Sequence, residues 1–145
     1  MRKATPVALL AVAVTLTGCS GSPFASYADS AVLCAQEGHN AVGTLRVIVG
    51  SHDRGRLLPA STEAAVHDVV ATATSALDQF DGTEPVSPDD RRLHDELHPL
   101  LHDAVARIAE VQEALDTGDT ARAAVLDEPL RRVDDRLVAF AEDHR

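Results

Sequence analysis

Apolar residues recur at alternating steps of three and four over nearly the whole chain beyond residue 23. Phe24, Tyr27, Ala31, Cys34, Gly38, Ala41, Leu45 and Ile48 form one such stripe. A second runs through Val66, Val69, Val70, Ala73, Leu77 and Phe80, and a third through Leu93, Leu97, Leu100, Ala104, Ile108, Val111 and Leu115. A fourth carries Leu126, Leu130, Val133, Leu137 and Phe140. This spacing keeps every member on one face of a 3.6-residue helix and predicts four amphipathic helices. No useful length alternates with period two, so no strand is expected.

Punctuation residues divide the stripes. Ser22-Pro23 offers an N-cap followed by proline in the first turn, and Gly50 is the expected stop of the first helix. Ser51 to Leu58 reads as a polar loop around Gly55. Ser61 or Thr62 is the expected cap of the second helix, with Glu63 in its first turn, and Asp81-Gly82 ends it. Ser87-Pro88-Asp89-Asp90 opens the third helix, and Thr117-Gly118-Asp119 stops it and restarts the fourth. Pro99 and Pro129 fall inside the third and fourth patterns. Each removes a backbone donor and crowds the carbonyl four residues back, so each helix should kink or divide. Short loops between amphipathic helices predict an all-α, up-down-up-down four-helix bundle over residues 23–145. Gly38 weakens its helix by roughly 1 kcal/mol relative to alanine. Because it lies on the apolar stripe, a close helix–helix approach is expected there.

The first 22 residues follow a different plan. Arg2 and Lys3 precede an apolar run, Val7 to Leu16, that is only ten residues long. A spanning helix needs about 20, so this run is a signal-type segment and not a membrane anchor by itself. It ends in Leu16-Thr17-Gly18-Cys19. This arrangement resembles the bacterial lipoproteins, whose lipobox is an aliphatic residue, a small residue, Gly or Ala, then the lipid-bearing Cys. The resemblance implies that residues 1–18 are removed, that Cys19 carries the diacylglycerol, and that residues 19–22 are a short tether. It covers about the first twenty residues and names no family for the bundle. It implies a protein of the cell membrane, lipid-anchored on the extracytoplasmic face. The tether spans under roughly 15 Å even when extended, which would hold the bundle close to the lipid.

Charge then narrows the partners. The 145-residue chain has a net charge of −10. Loss of Arg2 and Lys3 leaves 11 Arg against 23 Asp and Glu, a net −12. Phosphate neutralisation needs a basic patch, so nucleic acid is not an expected partner. Acidic groups on outer helix faces pair with Arg at i,i+3 and i,i+4 as ordinary solvated surface. No G-x-S-x-G, Walker A, G-x-G-x-x-G or H-E-x-x-H motif occurs, and no enzyme is expected.

Candidate chemistry is sparse. His94, His98 and His102 follow one another at steps of four, one further step beyond Asp90. Adjacent imidazoles at this spacing share a helix face and can form a partial chelate for a transition metal, with Asp90 as a candidate further ligand. His39, His52, His67 and His144 read as scattered surface or loop residues. Cys34 lies on a core stripe; if Cys19 is a thioether, Cys34 has no disulfide partner and is expected as a buried free thiol. The sequence therefore carries two functional expectations. One is a non-enzymatic, membrane-anchored interaction module that meets an envelope protein. The other is a metal-binding or metal-delivering lipoprotein that uses the His ladder.

Overall fold

The computed structural model describes residues 26–145, and every regular element among them is an α-helix. The elements are α1 (Tyr27–Asp53), α2 (Pro59–Asp81), α3 (Pro88–Asp116), α4 (Thr120–Val125) and α5 (Asp127–Asp143). α1 packs on α2, α3 and α5, α2 also packs on α3, and α3 closes the bundle against α5 and the short α4. The signal-type segment, the lipobox, Ser22-Pro23 and Phe24 lie outside the described residues.

The four stripes form the core. Ala31, Cys34, Ala41, Leu45 and Ile48 of α1 are buried with Val66, Val69, Ala73 and Phe80 of α2. Leu97, Leu100, Ala104, Ile108 and Val111 of α3 join Leu130, Val133, Leu137 and Phe140 of α5. Tyr27, Val70, Leu77, Leu93, Leu115 and Leu126 pack at the edge of this cluster. Buried arcs are wider than the stripes: Ala35, Val42, Thr62, Ala76, Leu101, Ala114, Ala123 and Ala141 are also inside. Each helix meets two to four neighbours, which draws a second line of mostly small residues into contact. At Gly38 an added Cβ would stand 2.9 Å from Leu101 Cδ2 and 3.3 Å from Leu137 Cδ1. Glycine at this position lets α1 sit directly against the side chains of α3 and α5.

Several helix ends differ from expectation. The described cap of α1 is Ser26, which forms a capping box with Asp29. α1 also passes through Gly50 and ends at Asp53; the turn is made by Gly55, whose φ of +63° suits a residue without Cβ. α2 begins at Pro59 after Leu58, with no side-chain cap. Neither Ser61 nor Thr62 caps it, because the helix has already started when they are reached. Ser87, Asp90, Gly118 and Asp119 do what their sequence context suggests. Ser87 and Asp90 form a capping box, Gly118 is left-handed at φ +70°, and Asp119 caps α4.

The two internal prolines have different outcomes. α3 continues unbroken through Pro99 to Asp116. Pro99 and Asp95 are both exposed, so water can satisfy the carbonyl that loses its donor. The expected fourth helix is divided at Leu126 into α4 and α5. Pro129 cannot donate to the Val125 carbonyl, and the chain resolves this by placing Pro129 in the first turn of a new helix, where its missing N–H costs little.

Candidate functional site

The His ladder forms an aromatic column. Phe80 stacks on His94 with centroids 5.4 Å apart, and His94 stacks on His98 at 5.3 Å, both at 16° between planes. His102 follows at 6.3 Å, and Tyr27 leans on the other end of the column, 5.8 Å from Phe80. The four-residue spacing of α3 sets this arrangement, and Phe80 anchors it to the core. The Tyr27 hydroxyl is enclosed without a hydrogen-bond partner. Burial first, then the nearby carboxylates of Asp90 and Asp81, push its pKa up.

Asp90 does not turn toward the ladder as a ligand. Its carboxylate accepts from the Ser87 N–H at 2.9 Å, and these Ser87 hydrogen bonds hold its pKa below the usual carboxylate range. The carboxylate that faces the ladder is instead Asp81 at the end of α2, with Oδ1 3.4 Å from His98 Nε2. His94 has Asp95 as its nearest acid, at 3.7 Å. Among the described residues no three His, Cys, Asp or Glu side chains converge on a position that could hold a metal ion. Ring faces, not converging ring nitrogens, organise this set.

Cys34 is buried and free, as its stripe position predicts. Loss of hydration, with Glu37 as a smaller contributor, pushes its thiol up to about 11. A neutral thiol in an apolar site acts as a small hydrophobe.

Three histidines that read as scattered surface join separate elements. His39 Nδ1 lies 2.6 Å from Asp134 Oδ1, linking α1 to α5. Two turns further along α1, Arg46 donates to Asp127 at 2.8 and 3.4 Å and approaches Asp134 at 3.9 Å. The Arg46 hydrogen bond holds Asp127 below the usual carboxylate range. His144 packs on Phe140 and stands 3.4 Å from Glu96 of α3. His52 at the end of α1 meets Thr62 of α2 at 3.2 Å. His67 alone of these four is simply exposed.

The surface has one feature with no counterpart in the sequence reading. Between α1 and α2 runs a shallow groove of about 300 Å³, with Ala41, Ile48, Ala65 and Val69 toward its floor. Asn40, Thr44, Asp68 and Thr72 complete its lining. Two further hollows adjoin it, over Gly43 and Val47 and over Glu37 and Ala71. Val47 is 67% exposed and Leu33, on the same side of α1, is 53% exposed. The single Arg of α1 is turned to α5, and α2 contains no Arg or Lys, so Glu37 and Asp68 face solvent along this groove without a basic neighbour lining it. Among the described residues no helix is long and apolar enough to cross a membrane. No protein-family model matches the chain, and neither a curated protein nor a solved structure matches it.

Proposed function

We propose that this protein is a non-enzymatic interaction module, lipid-anchored through Cys19 on the extracytoplasmic face of the cell membrane. Its helices alternate up and down, so the α1–α2 groove lies along the side of the bundle. The groove is the observation that carries the reading. An apolar floor flanked by small residues admits a helix laid lengthwise, and its anchors would be apolar side chains at helical spacing. Glu37 and Asp68 on the rim, with no Arg or Lys in the lining, select a partner helix with basic flanks. The occupant is therefore an amphipathic, basic-edged helix of another envelope protein. Exposed Val47 and Leu33 extend the apolar contact beyond the groove itself.

A photoreactive residue placed at Thr44, in the groove, tests this in intact cells. The control replaces Arg136, exposed on α5. The expected result is one dominant adduct from Thr44 whose cross-linked peptide is amphipathic and basic-edged. Equal adducts from both positions, or an acidic cross-linked segment, would refute the assignment of this face.

A further inference from the structure

Gly38 and Gly43 lie well inside α1, where glycine weakens a helix. Packing accounts for Gly38, because Leu101 and Leu137 stand where its Cβ would go. Nothing in the fold accounts for Gly43, whose Cβ would meet no atom within 4 Å. The missing side chain instead opens a hollow of about 340 Å³ bounded by His39, Asn40, Thr44 and Val47.

Asn40, Gly43, Thr44 and Val47 are related as i, i+3, i+4 and i+7. Four residues at this spacing form the hole that receives one side chain of a neighbouring helix. In the groove, Ala65, Asp68, Val69 and Thr72 of α2 repeat the spacing. Asn40 and Thr44 line both hollows and so form the ridge between them. A helix laid along this ridge drops one row of side chains toward α2 and another toward Gly43. Exposed Leu33 opens the preceding hole of α1, which Gln36, Glu37 and Asn40 complete one heptad earlier. The two holes in succession, from Leu33 to Val47, extend over about 21 Å of helix.

We infer that the partner helix seats a large aliphatic side chain in the hole at Gly43, and that Gly43 thereby determines which helices fit. This rests on the groove being the docking face and adds the partner's register upon it. A small side chain would leave the hole empty, because no atom of this chain fills it. The next anchor of the partner lies one heptad away, in the hole that begins at Leu33. Glu37 in that hole and Asp68 across the ridge meet the basic edges of the same helix.

The test is photo-cross-linking of the full chain in intact cells from Thr72, on the α2 side of the groove, where a change at residue 43 does not crowd the probe. Gly43→Leu fills the hole and should lower the adduct about tenfold. Gly43→Ala should lower it less. Ala109→Leu, at an exposed position of α3 outside the groove, should leave it unchanged. The cross-linked peptide of the parent should carry two Leu, Ile or Met residues one heptad apart. Thermal unfolding separates lost docking from misfolding, and both Gly43 variants should melt no lower than the parent. An undiminished adduct in Gly43→Leu, or a peptide without that aliphatic pair, would overturn the inference and leave the groove assignment standing. An equal loss in Ala109→Leu, or a Gly43→Leu chain that melts below the parent, would also overturn it. A parent that gives no adduct from Thr72 would overturn both.

Discussion

Two glycines of α1 provide the same substitution in opposite surroundings. Gly43 faces open space: a Cβ there meets nothing within 4 Å. Gly43→Ala therefore gains helix propensity with no opposing contact, and stability should rise by about 1 kcal/mol. Gly38→Ala gains the same propensity but brings a Cβ to 2.9 Å from Leu101 Cδ2 and 3.3 Å from Leu137 Cδ1. Both are ends of leucine side chains, which could yield in a loose core. Here both leucines are almost fully buried, so neither has solvent to move into. Overpacking of this kind costs about 1–3 kcal/mol, which equals or exceeds the propensity gain. The two variants should therefore differ by about 1–3 kcal/mol, with Gly43→Ala the more stable and Gly38→Ala no better than the parent. At this size each kcal/mol moves the melting temperature by about 3–6 °C. Urea and thermal unfolding followed by helical circular dichroism measure the difference. An equal gain from both substitutions would refute the close approach of α1 to α3 and α5.

Other expectations follow from single sites. With its pKa raised to about 11, Cys34 is almost wholly protonated at pH 8 and should resist alkylation until the chain is unfolded. The unfolded thiol ionises first, so stability should also fall as pH rises from about 8.5 toward 11; an unchanged melting temperature across that window would contradict the burial of the thiol. The Asp127 carboxyl is held low by Arg46, so the pair stabilises the fold above the ordinary carboxylate range and loses this as pH falls through the folded-state value. Arg46→Gln should return Asp127 toward the ordinary range in a carbon-13 titration. Ser87→Ala removes one half of a capping box and should cost about 1 kcal/mol in urea unfolding, with Asp90 titrating higher than in the parent.

The helices were legible in the sequence because burial in a bundle imposes a period of three and four, and every described stripe member is inside or at the edge of the core. Leu101 and the extra alanines were not legible as core. A single stripe marks the contact with one neighbour, whereas α1 and α3 each meet several. Helix ends were legible where a residue has a local partner, as Ser87 has Asp90. Gly50 misled because the chain stays helical through it, and the left-handed turn that follows α1 falls at Gly55. Pro129 divided its helix and Pro99 did not, although Val125 and Asp95, whose carbonyls lose their donors, are both exposed.

The candidate sites follow the same rule. The stacking of His94, His98 and His102 is implicit in their spacing, and Cys34 is buried as its stripe position implies. The pairing of His98 with Asp81 instead of Asp90 depends on how α2 ends beside α3. His39 with Asp134, and the groove between α1 and α2, depend on tertiary contacts between helices. No local pattern announces them.

The lipid anchor proposed at Cys19 would decide which molecules the bundle can meet. Metabolic labelling of cells with an alkyne fatty acid, followed by fractionation, tests it directly. The parent should carry the label and sediment with membranes, and Cys19→Ala should carry none. A parent without label, or a Cys19→Ala variant that retains it, would contradict the account.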